Sequence, residues 1–302
     1  MENINQIIRT LENEEAHLED RKEAALELGR RQERDGLDAL LKALKSESKE
    51  LKLSTIWSLG EIRSDAAFKP LKSIFHQQKD TETRMEVLKA LDKMFNYSFR
   101  GRLISVLEDG LESGDAEVRK QSVYIAGKNG LEELSEKLEK MFEEENNSEV
   151  KALIVYSLGE LLEGKRRLEF VADASRLTGI VQRTAEQELK NTRLHGKWIR
   201  ESEEWFSDQI EHENEHVRRM AIKVLTRIED CDDKLWRIAL RDESEQVRGL
   251  ALQRLDFSKM LDRTRISQEE LSFFAQSPSA EVRKEIAFKI RDNILKNGKN
   301  VL

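Results

Sequence analysis

The sequence predicts an all-α fold, a single α-solenoid of about nine helix-pair repeats spanning residues 1–302. Three observations predict it. Only two prolines, Pro70 and Pro278, interrupt 302 residues rich in Leu, Ala, Glu, Lys and Arg, a composition that favours helices over strands. An apolar anchor returns every 30 to 36 residues along the whole chain. A residue able to start a helix precedes nearly every anchor at a fixed distance.

The anchors are Asp20, Leu51, Thr83, Val118, Val150, Val181, Val217, Val247 and Val282. Four residues on stand Ala24, Thr55, Val87, Ser122, Ile154, Ala185, Ala221, Ala251 and Ile286, and eight on stand Leu28, Leu59, Leu91, Ala126, Leu158, Leu189, Leu225, Leu255 and Ile290. At about 100° per residue these positions form one stripe, with small side chains in its middle where a neighbouring helix can come close. Three residues before the anchor come Ser48, Asp80, Asp115, Asn147, Thr178, Asn214, Ser244 and Ser279, side chains suited to the unpaired N–H groups of a first helical turn. Glu19, Glu50, Glu82, Glu117, Glu149 and Glu281 immediately precede the anchor, where the helix dipole favours negative charge. Between these helices a second apolar pattern appears, as in Leu37, Leu40, Leu41 and Leu44, or Leu131, Leu134, Leu138 and Phe142. Each repeat is thus a pair of helices, and neither can bury its apolar face without the neighbouring repeat.

Segments such as DAEVRKQSVYIAG, NEHVRRMAIKVL, SEQVRGLALQRL and SAEVRKEIAFKI carry Val-Arg followed by small and apolar residues at helical spacing. They resemble the second helix of HEAT repeats, in the subtype also found in phycobilisome-lyase-like proteins. The resemblance implies that the basic residues after the anchors (Arg21, Lys52, Arg84, Arg119, Lys151, Arg218, Arg248 and Arg283) tie adjacent repeats together. It speaks for a fold and is nearly silent on function. The sixth repeat departs from the pattern, with Gln182 and Ile180 at positions elsewhere basic and acidic, and a bend or irregularity is expected over 190–206.

Charge restricts the function classes. The net charge of −7 divides as −1, −3 and −3 over residues 1–100, 101–200 and 201–302, so no basic half or tail offers a nucleic-acid footprint. A glycosylase of the HEAT-like type, which uses aromatic and acidic residues on a basic background, is therefore disfavoured. The single cysteine, Cys231, permits no intrachain disulfide. The first twenty residues lack the basic-then-apolar order of a signal peptide, and no apolar run is long enough to span a membrane. A cytoplasmic location is expected.

One catalytic motif is present as a string. His212-Glu213-Asn214-Glu215-His216 reads HExxH, which on a continuous helix would place two imidazoles on one face to hold zinc. Here Asn214 falls at a helix start, so the motif should straddle a turn and no metal site is expected. Deoxyhypusine hydroxylases, which share this type of fold, use His-Glu pairs near the start of second helices. The corresponding Lys22-Glu23, Leu53-Ser54, Met85-Glu86, Lys120-Gln121 and Lys284-Glu285 contain no histidine. No catalytic residue and no cofactor are expected.

The candidate site is a stripe. The sixth residue after each anchor lies about 240° around the helix, away from the buried positions, on the side that HEAT architecture turns to the concave face. Its occupants include Trp57, Tyr124 and Tyr156, and Glu61 and Glu160 follow Trp57 and Tyr156 one turn later. Packing between repeats would account for the rings. The functional reading is a scaffold or adaptor that anchors a partner protein or peptide on Trp57, Tyr124 and Tyr156, with Glu61 and Glu160 selecting basic groups. An auxiliary subunit of a bilin-lyase-like or chaperone-like enzyme is the alternative.

Overall fold

The computed structural model describes residues 3–191, 203–225 and 241–254, together with Leu235, Ile238 and a few positions between 280 and 291. The helices gather into two compact units, residues 1–162 and 163–302.

In the first unit ten helices follow one another: α1 (Ile4–Glu12), α2 (Leu18–Arg30), α3 (Leu37–Ala43), α4 (Lys49–Ile62), α5 (Phe68–Gln77), α6 (Thr81–Lys93), α7 (Arg100–Leu111), α8 (Ala116–Lys128), α9 (Ser135–Glu144) and α10 (Ser148–Leu161). Each odd-numbered helix packs on the even one that follows, and the even helices pack on each other in the order α2, α4, α6, α8, α10. This is a solenoid of five stacked helix pairs, with first and second helices in separate layers. The second unit holds α11 (Gly164–Ala174), α12 (Gly179–Asn191), α13 (Glu203–Asp208), α14 (Glu215–Leu225) and α15 (Glu245–Arg254), with α12, α14 and α15 as the second helices of their repeats. Most of the expected bend at 190–206, and of the ninth repeat, lies outside the described residues.

The helix starts are where the sequence puts them. Ser48, Asp80, Asp115, Asn147, Asn214 and Ser244 each accept a backbone N–H two or three residues ahead, at 2.8 to 3.4 Å. The anchors Leu51, Thr83, Val118, Val150, Val181, Val217 and Val247 are all buried, as are the positions four and eight residues beyond them that the structure describes. Asp20, the anchor of the first repeat, is the exception; it is exposed, and Ala24 and Leu28 carry that stripe.

Consecutive second helices touch backbone to backbone. A Cβ built on Gly29 would lie 2.7 Å from Ser58 Cα, one on Gly60 2.8 Å from Ala90 Cα, and one on Gly127 2.9 Å from Ser157 Cα. Each glycine stands nine residues after its anchor and meets the residue seven after the next anchor. Where that residue is serine it also bonds: Ser58 Oγ donates to the Ala25 carbonyl at 2.7 Å, and Ser157 Oγ to that of Val123 at 3.1 Å. The third repeat has Asp92 at the glycine position and the fourth has Ile125 opposite. The α6–α8 contact is correspondingly lighter. Asp92 instead receives Lys128 Nζ at 2.6 Å and Asn129 Nδ2 at 2.7 Å.

The Val-Arg ladder is also structural. Arg119 reaches back to the Ser113 carbonyl in its own turn at 2.8 Å and forward to both carboxylate oxygens of Glu145 at 2.8 and 3.0 Å. Arg218 repeats this with the His212 and Glu213 carbonyls and both oxygens of Asp242, and its side chain is 6 % exposed against 5 % for that of Asp242. Arg84 donates to Ser113 Oγ at 2.8 Å and lies over Phe75. Arg248 holds the Asp242 and Glu243 carbonyls, and Arg21 that of Leu11.

The receiving residue, five before the anchor, was not singled out by sequence patterning. Ser46, Ser113, Glu145, His212 and Asp242 each accept the backbone N–H of the capping residue two positions later, at 2.8 to 3.2 Å. The signal is weak because the position takes any short acceptor. What is constant is its geometry.

Two measurements test this packing. Gly60→Ala should lower stability by about 1–3 kcal/mol, because its methyl would meet backbone that cannot yield. Gly101→Ala, with nothing within 4 Å of its Cβ, should leave stability unchanged or raise it by up to about 1 kcal/mol. Denaturant titration distinguishes them. The second test concerns Glu145. Burial raises its pKa, but the hydrogen bonds from Arg119 and the Asn147 amide outweigh that and hold the carboxyl below its ordinary value of 4.5. A depressed folded-state value stabilises fully above the unfolded value and is lost as pH falls through the folded one. Arg119→Leu should therefore cost about 2 kcal/mol at neutral pH. The gap between variant and parent should narrow progressively once pH falls below about 4.5.

Candidate functional site

The second helices of residues 18–161 bury the stripe just described and leave the opposite side outward. Ideal helical geometry places five positions on that side, counted from each anchor: the residue before it, those two and three after it, the one six after it, and the one ten after it. The row at six holds Leu26, Trp57, Lys89, Tyr124 and Tyr156. Tyr124 is 43 % exposed and Tyr156 42 %, among the few large apolar side chains of the described residues that stand open. They occupy equivalent places on the adjacent helices α8 and α10. Their chain neighbours Val123, Ile125, Val155 and Ser157 are fully buried, so each ring projects from a packed helix.

Trp57 has a different environment. It is half-buried, and Lys93 of the next repeat lies over its ring with Nζ 4.9 Å from the centroid. The same ammonium bonds to Glu61 Oε1 at 2.5 Å. Trp57, Lys93 and Glu61 thus form one cluster linking α4 to α6, in which the cation satisfies both the ring face and the carboxylate. Glu61 is committed within the protein, whereas Glu160, one turn after Tyr156, is exposed. Lys93 was missed in the sequence reading because its link to Trp57 crosses 36 positions. Its signal is that both side chains face the same side of neighbouring helices, six and ten residues past their anchors.

The HExxH segment lies elsewhere and spans a helix start. His212 precedes the turn in extended backbone, Asn214 caps α14, and His216 is in its first turn with Nδ1 3.7 Å from Glu186 Oε1. His212 Nδ1 accepts the Asn214 backbone N–H at 2.9 Å, and its carbonyl accepts from Arg218. Burial first, then the charge of Arg176, pushes the imidazole pKa below its ordinary value and keeps the ring neutral. Its Nε2 stands 3.2 Å from Nε of Arg176. The imidazole holds the turn, and the two histidines do not share a helical face. Among the described residues no group of three His, Cys, Asp or Glu side chains is placed to hold a metal ion, and no helix is long and apolar enough to cross a membrane. After purification without a histidine tag, elemental analysis should find no stoichiometric zinc. His212→Ala should lower the melting temperature, since it removes the acceptor for the buried Asn214 amide.

The HEAT-repeat family model matches residues 5–92. No curated protein matches the chain. Among solved structures, an engineered protein is similar at TM-score 0.45 and 16% identity, covering 97% of this chain and 99% of that one. The complex of CpcE and CpcF of phycocyanin lyase from a Nostoc species is similar at TM-score 0.43 and 18% identity, covering 84% of this chain and 96% of that one. Human deoxyhypusine hydroxylase in complex with glycerol follows at TM-score 0.38 and 14% identity, covering 96% and 95%. The assignment rests on the sequence match and the helix-pair packing rather than on these likenesses. Residues 5–92 are those matched by the HEAT-repeat family model.

Proposed function

We propose that the protein is a non-enzymatic scaffold or adaptor that binds a partner protein or peptide on the exposed face of the second helices in residues 18–161. The observation that carries this reading is the pair of exposed tyrosines, Tyr124 and Tyr156, at equivalent positions on adjacent, otherwise well-packed helices. A tyrosine gives a large apolar contact at small entropic cost and keeps a hydrogen-bonding hydroxyl at its tip. The Trp57–Lys93–Glu61 cluster extends the face and presents the edge of a ring already fixed in place, so little ordering would be needed on binding. Glu160 is available to meet a basic group, while Glu61 acts through Lys93. The lyase-subunit reading has no observation of its own beyond the repeat subtype.

The test is the double variant Trp57→Ala/Tyr156→Ala. Co-purification of a partner with the parent chain should be lost or weakened about tenfold or more in the variant, as when hot-spot aromatics are truncated. Its helical circular dichroism should be retained, because Tyr156 is exposed and Trp57 only half-buried. Unchanged partner recovery with an intact fold would remove this face from consideration.

A further inference from the structure

The same face carries a second ordered row. The residue before the anchor is glutamate in five successive second helices, Glu19, Glu50, Glu82, Glu117 and Glu149, and all five are exposed. This position and the aromatic one, seven residues later, are separated by about 20° around the helix and about 10 Å along it. The acids and the rings therefore share one face as two parallel rows, crossing the helices from α2 to α10.

A helix dipole alone accounts for an acid in the first turn but not for which residue carries it. In α14 and α15 the first-turn acids are Glu215 and Glu245, one place earlier, and His216 and Gln246 precede the anchors. That earlier place points about 100° away from the one next to the anchor. In residues 18–161 the acid takes, five times in succession, the place aligned with Trp57, Tyr124 and Tyr156.

Charge along this row is only partly balanced. Lys22 pairs with Glu19, Lys49 with Asp80 and Glu82, and Lys120 with Glu117 and Glu149. Five carboxylates, Glu19, Asp80, Glu82, Glu117 and Glu149, are thus shared among three lysines, and Glu50 is bonded by the Ser48 hydroxyl and its own backbone amide, with Lys22 and Lys49 nearby. The other end of the face, ten residues after the anchors, carries Arg30, Lys93 and Lys128 beside Glu61 and Glu160. The acidic excess is confined to the helix-start side.

Spacing selects the form of the ligand. Packed helices lie about 8–10 Å apart, so the rows repeat at that interval. A polyproline-II segment brings every third side chain back to the same side after about 9 Å. A β-strand returns one after about 7 or 13 Å and falls out of step. Building on the docking face proposed above, we infer that it takes an extended, polyproline-II-like peptide bearing Lys or Arg at every third residue. The basic groups lie along the glutamate row, and apolar residues between them rest on Trp57, Tyr124 and Tyr156.

The experiment uses the full chain and a fluorescein-labelled peptide of repeated Arg-Pro-Leu triplets, read by fluorescence anisotropy. Two further peptides accompany it: one of the same composition with the arginines clustered at one end, and one with glutamate replacing arginine. The triplet peptide should bind more tightly than either. Glu50→Gln/Glu82→Gln/Glu117→Gln should weaken it about tenfold, as expected for three exposed charge contacts. Glu143→Gln/Glu144→Gln, on α9, should leave it unchanged. Lys120→Ala, which frees Glu117 and Glu149, should tighten binding, and it keeps the inference testable should the triple variant prove unstable. Equal binding of the clustered peptide, an equal effect of the α9 variant, or no binding of the triplet peptide would overturn the inference. Binding of the glutamate peptide in a manner sensitive to Trp57→Ala/Tyr156→Ala would also overturn it while preserving the docking face. Loss of that aromatic sensitivity for every peptide would remove both.

Discussion

The structure of residues 18–161 depends on how closely successive second helices approach. At Gly29 against Ser58, Gly60 against Ala90 and Gly127 against Ser157 there is no room for one further carbon atom. Such contact fixes the separation of the helix axes and, through serine hydroxyls that donate to the preceding helix, their register along the axis as well. The buried stripes of Leu and Val contribute most of the apolar burial, but apolar contact is not directional. Registry comes from the small residues. The exception at Asp92 shows the same logic from the other side. Without glycine there, and with Ile125 opposite, the helices are linked through the Asp92 carboxylate to Lys128 and Asn129.

The arginines after the anchors do complementary work at the other end of each helix. A turn that ends one helix and begins the next leaves carbonyl and N–H groups without helical partners. Arg119 and Arg218 satisfy carbonyls in their own turn and then extend to the carboxylate of the following repeat. That carboxylate in turn accepts the N–H of its own capping residue. One guanidinium therefore joins two turns through three kinds of bond, which lysine could not do with the same planar geometry. His212 enters the identical position as an acceptor, so the HExxH string straddles a turn instead of lying along one helix.

Much of this was legible in the sequence because repetition makes weak signals add. Six capping side chains and the buried anchors follow directly from aligned positions, and so does the ladder of basic residues. The failures have separate physical causes. Asp20 occupies an anchor place but is polar and stays exposed, and Ala24 and Leu28 carry the stripe there. The acceptor five residues before each anchor was invisible because serine, glutamate, aspartate and histidine can all fill a role defined by geometry. The Lys93 contact with Trp57 was invisible because it depends on the angle between two helices, which no single-helix periodicity contains.

That last contact bears on how the candidate site works. An aromatic ring on a surface can either pack or bind, and helical spacing alone does not separate the two. Trp57 packs with one face under Lys93 and is half-buried, whereas Tyr124 and Tyr156 have equivalent positions and are exposed. The backbones beneath Tyr124 and Tyr156 are in contact through Gly127 and Ser157, which sets the interval between those two rings. On the docking reading proposed above, a row of this kind discriminates by spacing: a partner must present its side chains at the interval the helices impose. A single deep pocket would instead read one group at a time. Specificity in such a solenoid therefore originates in the residues that have no exposure at all, because they set the interval at which the exposed ones are repeated.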